Sequence, residues 1–408
     1  PPARHSERRL APERALTIAV FALVLFGLVM VYSASSAGAV VNGGSPTFLL
    51  QRQLVYAAVG LIGFAIAMRL PLTFLRKLGP PLLGLAALGL VLVLVPGIGH
   101  EANGSQRWIL IGSLGQLQPS EFAKLALILW IAQAVARAPR RVARGEGLVP
   151  FMVVTTSLCL LILVEPDLGT AMLVFAIALT MLLVAGAQAR HVALIIGGAA
   201  ALALVAVVAA PYRRARFTAF LDPWADPDGA GFQSVQAQLS VASGGVTGVG
   251  LGDGVQKVFY LPEAHTDMIL AIIGEELGLL GIVGVLAALA VIAVSGFAIA
   301  LRAEDPFCQL AAAGITTAIV FQAIINVGAV LGVMPITGVP LPFVSFGGSS
   351  LLVLLISAGL LVNIGNRSGH APRLRVIDGG AGRDRGRRDG GARDAGAGSG
   401  RRAHRARG

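Results

Sequence analysis

The segment YLPEAHTDMILAIIGEELGLLG, starting at Tyr260, places His265 and Asp267 at the doorway of an apolar run. Glu275 and Glu276 follow about two helical turns inside it. A carboxylate in a half-desolvated setting can serve as a general base or hold a divalent cation such as Mg2+ or Mn2+. Further charges recur at the edges of other apolar runs. Glu121 and Lys124 have the i, i+3 spacing of an intrahelical ion pair. Glu165 and Asp167 flank Pro166, and Arg107 stands in a polar stretch upstream. Most of these groups also have a purely structural reading. Glu121–Lys124 can be a stabilising pair, Asp167 can cap the helix that begins LGTAML, and Asp267 or Thr266 can cap its own helix. Glu275 and Glu276 sit mid-helix, where capping is not available, so at least one is expected to meet a cation or a polar cavity.

The elements that must position these residues follow from composition. Of 408 residues 55% are hydrophobic and only 13% charged, with a mean hydropathy of +0.78. Soluble domains carry roughly twice that charged fraction, so the chain is predicted to be an all-α integral membrane protein. A span needs about 20 mainly apolar residues. Ten segments qualify, near 15–35, 53–70, 79–97, 119–136, 148–165, 168–188, 190–210, 267–301, 307–332 and 346–366. VYSASSAGA, after the first run, looks like a cleavage site, but the run is longer than a secretory apolar core and reads as an uncleaved span. Cys159 and Cys308, the only cysteines, lie inside apolar runs and suggest neither a disulfide nor a metal site.

Ten spans put both termini on one side. With the termini inside, 25 Lys and Arg fall on the inner side and seven on the outer, which makes the termini cytoplasmic by the positive-inside rule. Residues 1–14 then form a cytoplasmic N-terminal segment, 15–366 the membrane domain, and 211–266 a long extracytoplasmic loop between spans seven and eight. The tail 367–408, with twelve Arg against four Asp, is predicted to be disordered and held near anionic lipid. On this topology Arg107, Lys124, Glu165, Asp167 and Asp267 share the outer interface. Intramembrane charges cost about 2.5–3.5 kcal/mol each on insertion scales and so mark pairing or function. Carboxylates and cations at one depth suit chemistry on a charged lipid headgroup.

Three further stretches shape the surroundings. FQSVQAQLSVA (232–242) has its apolar residues at helical spacing and is predicted as an interfacial helix. GGVTGVGLGDG (244–254) reads as a glycine-rich hinge; it matches no nucleotide-binding loop. NVGAVLGVMPITGVPLPFVSFGGSS (326–350) threads Pro335, Pro340 and Pro342 through an apolar region, which predicts a re-entrant wall lining a cavity. Ser345, Ser349 and Ser350 would offer that cavity hydroxyls for a ligand.

NGSQRWI (103–109), QPSEFAK (118–124), EPDLGTAM (165–172), GFQSVQA (231–237), FYLPEAHTDMILAIIGEELG (259–278) and PITGVPLPFVSFGGSS (335–350), in this order, resemble the SEDS family of bacterial cell-wall proteins. The NGSQRW loop and the FQSVQAQLSVASGGVTGVGLG stretch are more similar to its FtsW, or division, branch than to RodA. The sequence departs from the family pattern with HTDM, SFGG and DLGT, each an exchange of one apolar side chain for another, and with Gln106 where a second Arg is common.

The resemblance implies a peptidoglycan glycosyltransferase that polymerises lipid II, an undecaprenyl diphosphate-linked disaccharide pentapeptide, at the outer face of the cytoplasmic membrane. It implies a class B penicillin-binding protein and other divisome proteins as partners, and no nucleic acid. It assigns Asp267 as catalytic carboxylate and Lys124 as a substrate-binding cation, with Arg107 joining by proximity. An α-linked donor giving a β-1,4 product requires inversion, with Asp267 taking the proton of the incoming hydroxyl and cations meeting the departing diphosphate. Glu121, His265, Glu275, Glu276, Ser345 and Ser349 complete the expected substrate-binding set. Two other readings use the same charges: a lipid II flippase, and a non-catalytic divisome scaffold.

Overall fold

The computed structural model describes residues 11–368 apart from 42, 103–104, 111, 113–114, 140–141, 143–144, 146, 210 and 259. The expectations for residues 1–10 and for the tail beyond 368 lie outside the described residues. The chain up to the tail clusters as one unit. It begins with α1 (Pro12–Val41), α2 (Phe48–Ala67) and α3 (Leu72–Val93). Pro71, in extended conformation, separates α2 from α3, as a proline that cannot donate to a preceding turn should. A three-stranded antiparallel sheet follows, β1 (Gly99–Ala102), β2 (Ser105–Leu110) and β3 (Gln116–Leu117). Gly99 pairs with Ile109 and Ile109 with Leu117, with a register irregularity at His100/Glu101.

Then come α4 (Pro119–Arg137), α5 (Leu148–Val164), α6 (Leu168–Val184), α7 (Ala189–Ala209) and α8 (Pro211–Leu221). After a short 3-10 turn, α9 (Phe232–Gly244) precedes the glycine-rich stretch. The chain closes with α10 (Ile269–Arg302), α11 (Pro306–Val330) and α12 (Gly348–Ser368). Among the described residues seven helices, α1–α4 and α10–α12, are long and apolar enough to cross a membrane, and α5, α6 and part of α7 are shorter apolar helices. All ten lie where hydropathy expects a span. Long apolar side chains such as Leu25, Leu85, Leu194 and Leu301 are exposed around the outside, as suits a surface facing lipid.

Burial sorts the helices. In α4, α11 and α12 78% of the apolar window is buried, against 22% in α2 and α3, so the first three form the centre. Lipid gives helices little hydrophobic reason to associate, so close approach of small residues does that work. Gly27 of α1 lies against the backbone of Val344, Gly79 of α3 against that of Leu129, and Gly359 of α12 against Phe64. At the other end of α12, Asn363 Nδ2 donates to the carbonyls of Ala67 and Leu70 at 2.8 Å each. Arg76 pairs with Asp305 at 2.5 Å, and Asp305 caps α11 through Cys308 N.

The long helix α10 breaks at Gly278, where φ is 65° and ψ −160°. This region of backbone space is essentially reserved for glycine. The break frees backbone groups on both sides, and the glycine-rich stretch takes them. Val249 N and Gly250 N donate to the carbonyls of Glu275 and Glu276, while Leu279 N and Leu280 N donate to those of Gly245 and Val246. The stretch expected to be a hinge is therefore a clamp. Its glycines matter because any Cβ at Gly248 would overlap the backbone at Glu276. The helix at 232–244 forms as expected and packs on α10 through Val235, Ser240 and Gly244, leaving Leu239 exposed.

Candidate functional site

The polar groups singled out by sequence converge on the proline-rich segment between α11 and α12. Arg107 is carried by β2, one strand of a sheet that folds the polar loop over this end of the bundle. Its Nε donates to Glu165 O at 3.0 Å and an Nη donates to Pro166 O, while Nη1 lies 3.8 Å from Asp167 Oδ2. A side chain at Gly338 would come within 3.8 Å of Arg107 Nη1. Asp167 also accepts from Thr170 N at 3.0 Å and Thr170 Oγ1 at 2.9 Å, so its role as the cap of α6 is realised together with the ion pair. Glu165 is fully buried beside it.

Lys124 and Glu121, one turn apart at the start of α4, form a 2.8 Å ion pair with both side chains buried. Lys124 Nζ also donates to Gln322 Oε1 at 3.1 Å. Gln322 Nε2 in turn donates to Pro340 O at 3.0 Å and contacts Ser350 Oγ at 3.3 Å. This cation is held by a pair and an amide inside the bundle, not by a surface contact.

Asp267 is 7% exposed and ends the turn that leads into α10. The N-cap position of the helix is Met268, which makes no side-chain cap bond. Thr266 Oγ1 donates to Glu263 Oε2 at 2.7 Å and lies 3.4 Å from Asp267 Oδ1. Asn326 Nδ2 donates to Asp267 O at 2.7 Å and to Val339 O at 2.9 Å. His265 faces Phe346, with ring centroids 5.7 Å apart, and accepts at its carbonyl from Phe346 N. Burial holds the imidazole below its ordinary pKa, with Glu263 pulling the other way. His265, Glu263, Lys257, Ser35 and Ser45 border a cleft of about 670 Å³.

Four expected ligand groups have protein partners. Glu275 accepts from Val255 N at 2.8 Å and Gln256 N at 3.2 Å. Glu276 accepts from Lys257 Nζ at 2.6 Å and Ser33 Oγ at 2.7 Å. These carboxylates anchor the glycine-rich clamp. Ser345 Oγ accepts from Leu341 N at 2.8 Å, and Ser349 Oγ joins Gln116 O and Gln118 N; both hydroxyls brace the wall. Gln322 and Asn326 were missed by sequence reasoning. Their signal was available, as two amides spaced i, i+4 inside an otherwise apolar span. Among the described residues no group of three or more His, Cys, Asp or Glu could hold a metal ion.

A helical multi-pass membrane protein with buried ion pairs gathered at one end of the bundle is the class these observations define. The FtsW/RodA/SpoVE family model, described as cell cycle protein, matches residues 14–370, and the chain belongs to that family. It is 40% identical over 352 residues to a probable peptidoglycan glycosyltransferase FtsW of Geobacter metallireducens, covering 86% of this chain and 94% of that one. One similar solved chain comes from work on a peptidoglycan synthase complex that coordinates polymerization and crosslinking. It has a TM-score of 0.73 and 34% identity, over 89% of this chain and 100% of that one. The crystal structure of the rod shape determining protein RodA of Thermus thermophilus matches with a TM-score of 0.65 and 30% identity, over 87% and 97%.

Proposed function

We propose that this protein is a peptidoglycan glycosyltransferase that polymerises lipid II into β-1,4 glycan at the outer face of the cytoplasmic membrane during cell division. It crosses the membrane ten times with cytoplasmic termini and works with a class B penicillin-binding protein. The ten apolar helices and the inward excess of Lys and Arg support this topology. The partner rests on likeness to a chain of a peptidoglycan synthase complex. Its branch rests on likeness to curated FtsW proteins.

The observation that carries the reading is the convergence on residues 338–340. Arg107 lies near Gly338, Lys124 reaches Pro340 through Gln322, and the main chain of Asp267 is tied to Val339 through Asn326. A base and two cations on one wall are what an inverting transfer from a lipid diphosphate requires. Asp267 takes the proton of the acceptor C4 hydroxyl, whose oxygen forms a bond to the donor anomeric carbon. The bond from that carbon to the diphosphate breaks, and the diphosphate leaves with the electron pair. Lys124 and Arg107 offset the charge that develops there.

Glycan polymerisation from lipid II by purified Asp267→Ala, with its transpeptidase partner, tests the mechanism. Loss of polymer is expected, and wild-type polymer would remove it. Fluorescent lipid II confined to the outer leaflet separates the classes: an enzyme makes polymer, a flippase depletes that leaflet, and a scaffold does neither.

A further inference from the structure

We infer that Asn326 and Gln322 are positioning residues that set Asp267 and Lys124 against the proline-rich wall as one rigid unit, an inference that rests on the proposed transferase reading. The two amides lie four residues apart on α11, hence one above the other on a single helix face. Each is buried, and each binds one of two consecutive wall carbonyls. Asn326 takes Val339 O at 2.9 Å, and Gln322 takes Pro340 O at 3.0 Å. Pro340 supplies no amide hydrogen, so this stretch of wall depends on side-chain donors for its registration.

The second contact of each amide reaches a charged residue of the site. Asn326 donates to the carbonyl of Asp267 at 2.7 Å, and Gln322 accepts from Lys124 Nζ at 3.1 Å. Base and cation come from helices far apart in sequence, yet both are referenced to neighbouring atoms of one segment. Asn326 acts here only as a double donor, and its Oδ1 has no hydrogen-bond partner. A carboxylate in its place would repel both carbonyls. Neither amide touches the reacting atoms, so both act through the residues they hold.

The test uses the full chain with its penicillin-binding partner, reading kcat and KM of polymerisation for wild type, Asp267→Ala, Asn326→Ala, Asn326→Ser and Gln322→Met. Misplacement of a reacting group by about 1 Å can cost roughly 100-fold. A fall of about 10- to 100-fold in kcat for Asn326→Ala is therefore expected, with KM for lipid II held within about twofold. Asn326→Ser, which keeps one donor, should fall between Asn326→Ala and wild type and serves if the alanine variant does not fold. Gln322→Met should also lower kcat, since it releases the cation from the wall.

Wild-type kcat in the Asn326 variants, or an Asn326→Ser no more active than Asn326→Ala, would overturn the inference. Activity in Asp267→Ala would instead remove the transferase mechanism beneath it, so the two failures are distinguishable.

Discussion

Lys257 Nζ and Glu276 Oε1 lie 2.6 Å apart with both side chains almost fully enclosed, at 3% and 0% exposure. Ser33 of α1 bonds to both partners, so this pair fastens the end of the glycine clamp to two helices at once. Removing one partner of such a pair strands the other charge, at about 3–5 kcal/mol. Lys257→Met and Glu276→Gln should each lower the melting temperature of the purified protein markedly. The double variant Lys257→Met/Glu276→Met should recover much of the loss, and additive losses would show that the pair is not coupled.

Gly278→Ala should be far more damaging than an alanine in an ordinary helix. The left-handed backbone alone costs a residue with a Cβ about 1–3 kcal/mol, and the methyl would overlap Val246 and Gly248 of the clamp. Folded yield in detergent and thermal unfolding would measure this. Gly284→Ala, on the same helix with open space around it, is the control and should behave as wild type.

His265 should make the catalytic turn acid-sensitive. Its folded pKa is lowered from 6.5, chiefly by burial, so the folded state prefers the neutral ring. Stability from this source is present above the unfolded value and is lost as pH falls through the lowered folded value. Between about pH 8 and pH 5 the wild-type melting temperature should drop more than that of His265→Gln. Equal drops would refute the assignment.

The proposed sidedness has a direct measurement. With Cys159 and Cys308 replaced by alanine, Glu263→Cys should react with an impermeant thiol reagent added from the periplasmic side. Lys77→Cys should react only after the membrane is opened. Both positions are exposed, so access rather than burial decides the labelling, and the reverse pattern would invert the topology.

Hydropathy alone located the seven long apolar helices found among the described residues, because sustained runs of Leu, Val, Ile and Ala leave a helix little alternative in lipid. Capping at Asp167 and the Glu121–Lys124 pair were equally legible, since their partners lie three residues away. What depended on distant partners was not. Glu276 looked like a ligand group because Lys257 is 19 residues away and Ser33 is 243. The sheet at 99–117 escaped notice because its strands are short and polar and gain their order from pairing with one another. The hinge reading of 244–254 was correct about glycine content and mistaken about purpose, as the amides close on carbonyls that only the break at Gly278 exposes.

The bond from Asn326 to the main chain of Asp267 also carries an implication for biogenesis. Asn326 lies 59 residues beyond Asp267, and its second acceptor, Val339, is 13 residues further still. A nascent chain that has just inserted the aspartate therefore lacks the amide that ties this turn to the proline-rich wall. Chains cut short before α11 should reach the membrane without that tie, so stalled synthesis yields inert fragments in place of an unregulated wall-building activity.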